Sequence, residues 1–318
     1  MPTKKPFDRD KWLEEKRAKV QDAKEMLETG LTALRTSDEW KACMTAIAKN
    51  ARLRYSVTRY SFGNQMMLAC QCAGANRPQP TSVATFKAWQ RVGRSVKKGE
   101  KGMFILTPKP WKREEKQSDG TSKELRGMSF GVAHVFDIAQ TEGDELPVPP
   151  RVTVDIEDAA TFSADVETLR EVALAIDGEP VSDIEIRANQ PGDPTNAQGW
   201  YVISTKAIVV VEHRSRAHMF KTLVHEVAHA LLHPKGDHHS TPEREVEAES
   251  TAFIVCQVLG LSTDAFSFPY VESWAQRASC TSNDMIAKCG DRITKASHTI
   301  LDALLGKQVE EPNEEEAA

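Results

Sequence analysis

From residue 8 to about 50 the chain is rich in Lys, Glu, Ala and Leu at helical spacing, broken at Gly30. Two or three helices are expected to follow one another through Gln71, the last including Tyr60–Leu68, and Gly74 to Pro80 reads as a turn. Beyond it the period changes. Thr85–Arg91 predicts a short helix, and Gly102–Thr107 and Gly131–Ile138 predict two strands antiparallel to each other. Between these strands, Lys112 to Gly127 is polar and poor in apolar residues, which predicts a hairpin loop. Gly143 to Pro150, with three prolines, reads as an interdomain linker. The second half opens with a helix near Ala159–Ile176, followed by strands at Ile184–Ile186, Gly199–Ile203 and Ala207–Val211. An apolar helical run around Leu223–His233 comes next, then another helix over Pro242–Val255. The strands ahead of the His-bearing helix can offer an edge to an extended peptide. The pattern predicts an α+β protein of two domains without internal repeats. Residues 1–145 form a helical/β-hairpin domain with a helical extension over 1–35, residues 151–307 form the second domain, and 308–318 is an acidic, disordered tail.

Composition changes this picture little. The 318 residues suit about two domains with real cores, and 40% hydrophobic with 27% charged residues is ordinary for a globular protein. Six cysteines, at 43, 70, 72, 256, 280 and 289, form no Cys-x-x-Cys pair and read as free thiols of a reducing compartment. The N-terminus lacks the apolar core of a signal peptide, and no apolar run approaches the roughly 18 residues of a membrane span. A cytoplasmic location without membrane association is expected.

The chemistry concentrates in His225-Glu226-Val227-Ala228-His229, inside a run free of Gly and Pro. On a helix, residues four apart share a face with Cβ atoms roughly 5–6 Å apart. His225 and His229 can therefore hold one Zn²⁺, whose nitrogen ligands sit at about 2.0–2.1 Å. Glu226 leans toward the same point but is placed to act on water rather than to ligate. That is the spacing of a zinc-dependent hydrolase. Two spaced histidines also occur by chance on surface helices, but Leu223, Val224, Val227, Ala228, Ala230 and Leu231 make this helix largely buried, and such a helix carries His and Glu on one face only when they are paired or metal-bound. Pro234 closes the run.

Catalytic zinc sites use three protein ligands. Glu245 and Glu249, four apart on the following helix, share a face with Ala252 and Phe253; Glu245 is expected as the third ligand and Glu249 as the brace of a ligand histidine. Glu243 and Glu247 are assigned to a solvated face. His233 continues the four-residue spacing, but a rise of roughly 12 Å from His225 prevents the two from sharing an ion. It is expected to cap the helix or hydrogen-bond nearby. His238 and His239 fall in the loop between Pro234 and Pro242, and His213 has no evident partner.

Charge is distributed unevenly. Between Thr81 and Arg113 nine Lys and Arg residues stand against Glu100 alone, inside a chain of net charge −5. Phe86, Trp89, Phe104 and Trp111 are interleaved. Cations along a phosphate backbone with rings for bases to stack on suit single-stranded nucleic acid, and Lys87, Trp89, Arg91, Arg94, Lys97, Lys98 and Lys101 are the candidate contacts. The alternative is a solvated basic surface over core aromatics. Val92–Gly102 reads as a mobile basic turn.

Four further segments, Ser61-Phe62-Gly63-Asn64-Gln65, Thr85-Phe86-Lys87-Ala88-Trp89, Gly93–Gly102 and Val135-Phe136-Asp137-Ile138-Ala139-Gln140-Thr141, precede the zinc motif. On these the chain resembles the ArdC-type antirestriction proteins, over roughly residues 35 to 260. The resemblance implies an N-terminal domain that binds single-stranded DNA and a zincin-like C-terminal metallopeptidase domain related to the ImmA/IrrE peptidases. It also implies a role on mobile elements in protecting incoming DNA from host restriction. In related peptidases a Glu-x-x-x-Asp/Asn/Glu pattern supplies the third ligand, which lands here on Glu245 and Glu249. Glu249 stands where those relatives often have Asn or Asp, so ligand and brace could be exchanged. The expectation is thus a gluzincin-like site with Zn²⁺ on His225, His229 and Glu245 and Glu226 as catalytic base, acting on an unidentified protein or peptide. Tyr201, His213 or a loop histidine would stabilise the oxyanion. Two rival readings are an ImmA-like regulatory metalloprotease that cleaves a repressor, and a DNA-coating protein with a non-catalytic zinc site.

Overall fold

The computed structural model describes residues 9–53, 55–116, 122–147, 154–174, 183–233, 240–264, 266, 268 and 282–306. In chain order its elements are α1 (Arg9–Thr32), α2 (Ser37–Asn50), α3 (Phe62–Gly74), β1 (Val83–Ala84), α4 (Phe86–Arg91), β2 (Arg94–Val96), β3 (Met103–Lys116), β4 (Ser122–Asp137), β5 (Thr141–Gly143), α5 (Ala159–Leu174), β6 (Asp183–Arg187), β7 (Gly199–Val202), β8 (Ala207–Val211), α6 (Arg216–Leu232), α7 (Thr241–Val258) and α8 (Ser282–Leu305). The described residues pack as two units: those within Met1–Gly30 and Gly63–Leu146 in one, those within Leu31–Phe62 and Pro147–Glu310 in the other. The fold is α+β, as the hydrophobic pattern predicts.

In the first unit α1 is not broken at Gly30. A Cβ there would lie 3.0 Å from Cys70 Sγ and 3.3 Å from Met66 Cβ, so the glycine lets α1 pass close to α3. The antiparallel sheet runs β1-β4-β3, with Met103 opposite Val135 and Lys116 opposite Ser122. The polar stretch expected to be a loop is therefore mostly strand. It lacks the apolar alternation of a half-buried strand because its outer part is covered on neither face: Trp111, Lys112, Arg113, Met128, Ser129 and Phe130 are all exposed. β3 is an edge strand, and two amides of α3 complete it. Asn64 donates to Leu106 O and accepts from Leu106 N–H, each at 2.9 Å. Gln71 does the same for Phe104, at 2.8 and 2.9 Å. Side chains seven residues apart thus stand in for a neighbouring strand and satisfy backbone groups that would otherwise be orphaned.

The second unit holds a three-stranded sheet ordered β6-β8-β7, with β6 parallel and β7 antiparallel to β8. α6 buries Met219, Phe220, Leu223, Val224, Val227, Ala228 and Leu231, and α7 buries Ala252 through Cys256. Residues 31–62, which the expected domain 1–145 includes, pack here instead. The reason is an apolar stripe on α2: Trp40, Met44, Ile47 and Ala48 are buried, and Trp40 Nε1 donates to Ser250 Oγ of α7 at 2.9 Å. α8 brings a similar stripe of Ile286, Cys289, Ile293, Ala296 and Ile300. A Cβ on Gly290 would fall 2.3 Å from Phe62 Cγ, so the ring sits where only glycine leaves room. The expected acidic tail 308–318 lies outside the described residues. Among the described residues no helix is long and apolar enough to cross a membrane.

Candidate metal centre

α6 starts at Ser215, whose Oγ accepts the His218 N–H at 3.2 Å, and then runs uninterrupted past both motif histidines. α7 starts with a capping box in which Glu243, assigned by pattern to a solvated face, accepts the Ser240 N–H. These two starts set the helix phases so that His225, His229 and Glu245 converge, one donor atom from each lying within 4.8 Å of the others. The Nε2 atoms of His225 and His229 are 3.1 Å apart, and the Glu245 oxygens lie 3.5 Å from the first and 3.7 Å from the second. Tetrahedral ligands at about 2.0–2.1 Å stand about 3.3 Å from one another. The donor set therefore fits a tetrahedral divalent ion in both spacing and chemistry.

Electrostatics point the same way. Burial works against a charge on His225, but hydrogen bonds to Glu245 and Glu249 outweigh it and carry its pKa up to about 10. Burial, reinforced by the His225 charge, pushes His229 down to about 3. Burial pushes the Glu226 carboxyl up to about 7, with His225 and the backbone N–H of Tyr201 opposing and Glu245 adding to the rise. Three carboxylates around two imidazoles form a place that calls for positive charge. β7 carries Tyr201 against Glu226, and a Cβ on Gly199 would lie 2.6 Å from Thr222 and 3.3 Å from Glu226 Cγ, so that glycine lets strand and helix approach.

Around the donors stands a layer that the sequence reading caught only in part. Glu249 Oε2 lies 3.2 Å from His225 Nδ1, and Lys221 lies 3.6 Å from its other oxygen. Behind His229, Nδ1 faces His233 Nδ1 at 3.0 Å, and His233 Nε2 faces Glu247 Oε2 at 2.8 Å. Glu247 is 1% exposed, which corrects its assignment to a solvated face. A carboxylate is tolerated there because His233 and Arg292, 3.0 Å from its other oxygen, engage it. His233 continuing the His225–His229 spacing was the one available signal. His213 takes the Ser215 N–H on Nδ1 at 3.1 Å and stacks on His218, while His238 and His239 lie outside the described residues.

The basic segment divides into scaffold and surface. Trp89 is fully buried, and its Nε1 donates to Phe136 O at 2.9 Å. Arg94 is buried too, donating to Thr141 Oγ1 at 2.8 Å and to Thr141 O at 3.1 Å. Both are corrections to the list of nucleic-acid contacts: their side chains are engaged in folding. Val92–Gly102 is likewise no mobile turn, since β2 pairs with β5 and Glu100 receives hydrogen bonds from Arg77 and Gln140. Gly143, at φ 129°, permits that pairing, because a Cβ there would strike Gly93 O at 2.3 Å. Lys87, Arg91, Lys97, Lys98 and Lys101 are exposed, with Lys97 Nζ reaching Ala139 O at 2.9 Å. Exposed rings lie elsewhere, at Phe86, Trp111 and Phe130.

The family model for the N-terminal domain of anti-restriction factor ArdC matches residues 21–136, and that for the IrrE N-terminal-like peptidase domain matches residues 181–271. An uncharacterised protein of Bacillus anthracis is 27% identical over 68% of this chain and 41% of its own length, so the chain spans less than half of that relative. Among solved structures, the metal-free antirestriction ArdC protein from plasmid R388 aligns with a TM-score of 0.47 at 22% identity, over 78% of this chain and 86% of that one. Its Mn(II)-bound form gives 0.44 at 19% identity, over 83% and 98%. The chain thus joins a domain matched by the ArdC N-terminal family model to one matched by the IrrE N-terminal-like domain model.

Proposed function

We propose that the IrrE-like domain is a zinc-dependent peptidase and that the ArdC-type domain binds single-stranded DNA, the two serving in the cytoplasm to protect incoming DNA of a mobile element from host restriction. The observation that carries this reading is the convergence of His225, His229 and Glu245 beside a buried Glu226. In it His225, His229 and Glu245 hold the metal, and Glu249 steadies His225 through Nδ1. Bound there, zinc supplies Lewis acidity toward a carbonyl oxygen and makes water a better acid. Glu226, anchored by the Tyr201 N–H, takes a proton from the attacking water on its carboxylate and returns it to the leaving amine. β7 pairs only with β8 among the described residues, so its outer edge gives an extended peptide backbone partners next to Glu226, which favours a peptide substrate.

On the DNA side the support is the matched ArdC domain, the exposed cations from Lys87 to Lys101 and the exposed rings of Phe86, Trp111 and Phe130. The test is metal content by mass spectrometry together with transfer of unmodified plasmid into a restricting host. About one zinc per wild-type chain, lost in His225→Ala, is expected, with manganese counted alongside because the R388 protein has a Mn(II)-bound form. Glu226→Gln should keep the metal while peptide hydrolysis falls roughly 10²–10⁴-fold and protection is lost. Full protection by Glu226→Gln, with failure of Lys98→Glu/Lys101→Glu, would instead establish a coating protein whose metal is not catalytic.

A further inference from the structure

We infer that His233, Glu247 and Arg292 form a relay that holds the proton of His229 on Nδ1 and so keeps its Nε2 lone pair free for the metal. The inference rests on the metal-centre reading and concerns positioning residues, none of which meets substrate. Its ground is donor and acceptor accounting in a buried place. Glu247 Oε2 accepts at 2.8 Å from His233, so Nε2 of His233 carries the hydrogen. With its hydrogen committed to Glu247 through Nε2, His233 presents Nδ1 as an acceptor. That atom lies 3.0 Å from His229 Nδ1, and two ring nitrogens in contact need one hydrogen between them. His229 must supply it, which leaves His229 Nε2 bare, 3.1 Å from His225 Nε2 and 3.7 Å from Glu245. Both hydrogens of the relay, on His233 Nε2 and His229 Nδ1, thus point away from the His229 ligand atom.

Arg292 and Cys289 fix the direction at the far end. The Arg292 Nε lies 3.0 Å from Glu247 Oε1, its Nη2 donates to Leu232 O at the end of α6, and the Cys289 thiol also hydrogen-bonds Glu247. With the Arg292 guanidinium as its ion-pair partner and donors from His233 and Cys289, Glu247 acts as an acceptor. The relay spans α6, α7 and α8, and the His233 and Glu247 side chains are 2% and 1% exposed, so water does not compete for these contacts. Such outer partners of a ligand histidine typically change metal affinity roughly 10–100-fold when altered.

The decisive substitution is Glu247→Gln, which keeps size and shape. Arg292 can face only the amide oxygen, so the amide NH₂ turns to His233 and demands an acceptor there. The His233 hydrogen then moves to Nδ1, and that of His229 moves to Nε2, where it blocks the ligand position. Zinc affinity of the full chain, measured by competition with a chromophoric chelator, should fall roughly 10–100-fold in Glu247→Gln. Long-range ¹H–¹⁵N spectra of the zinc-free wild-type chain should show His229 protonated on Nδ1 and His233 on Nε2. Should Glu247→Gln not fold, those wild-type spectra decide alone: a hydrogen on His229 Nε2 overturns the relay. Undiminished zinc affinity in a folded Glu247→Gln overturns it as well. A wild-type chain that takes up no zinc would instead remove the metal-centre reading beneath it.

Discussion

His298, far along the chain from the candidate metal donors, illustrates how burial dominates the behaviour of a side chain. Its Nε2 lies 3.0 Å from Thr58 Oγ1 and 3.3 Å from Thr58 O, while Nδ1 has no hydrogen-bond partner among the described residues. Burial pushes its pKa down to about 4, with the Arg59 charge adding and Asp302 opposing. The folded value lies below the unfolded value of 6.5, so the folded chain takes up this proton less readily than the unfolded one. Stability is therefore intact above the unfolded value and is lost as pH falls toward the folded one, by about 2 kcal/mol between about pH 7 and 5. Urea melts at those two pH values should show a smaller loss in His298→Gln than in the wild type; an equal loss would assign the acid sensitivity to other groups. At this same scale the candidate donors His225 and His229 were legible in the sequence, because four-residue spacing on a helix is a local property. Glu247 was not, since its local setting in an acidic run is that of a solvated residue, and only α8 brings Arg292 to it.

At the scale of elements, the motifs that carry the family resemblance prove to be joints. Asn64 closes the edge of β3, Arg94 ties β2 to β5, and Gln140 binds Glu100 and Lys101 O. Arg94→Ala should accordingly lower the melting temperature, whereas Lys98→Ala/Lys101→Ala should leave it unchanged and weaken single-stranded DNA. Two of the exposed rings, Trp111 and Phe130, sit on the outer β3–β4 hairpin. Trp111 lies across Gly127 and is 43% exposed. Trp111→Ala should cost about 1–3 kcal/mol in oligonucleotide binding, with the wild-type affinity falling steeply as salt rises. Fluorescence anisotropy at two salt concentrations measures both. A salt-insensitive affinity unmoved by either set of variants would remove DNA from this face. The outer hairpin has a loop-like sequence because strands covered on neither face need no alternation of apolar and polar residues.

For the whole molecule, the chain order is not the packing order. Leu31–Phe62 belongs with the peptidase-like unit, where Trp40 bonds Ser250 and Phe62 fills the space over Gly290. A fragment starting at Pro147 should therefore lack a cooperative thermal transition, and joining residues 31–62 to it should restore one. Trp40→Ala in the full chain should cost about 3–5 kcal/mol. A fragment that melts cooperatively without residues 31–62 would show that segment to be dispensable. What the sequence alone determined was whatever depends on neighbours in the chain: helix phase at His225, Glu226 and His229, the alternating strands, the excess of cations between Thr81 and Arg113. What only the tertiary structure decided was which of those residues meet partners distant in sequence: Glu245 among the donors, Glu247 beneath His233, and Trp89 and Arg94 inside rather than out. Burial and pairing are properties of packed surfaces, and a linear pattern specifies which face is apolar without specifying what covers it.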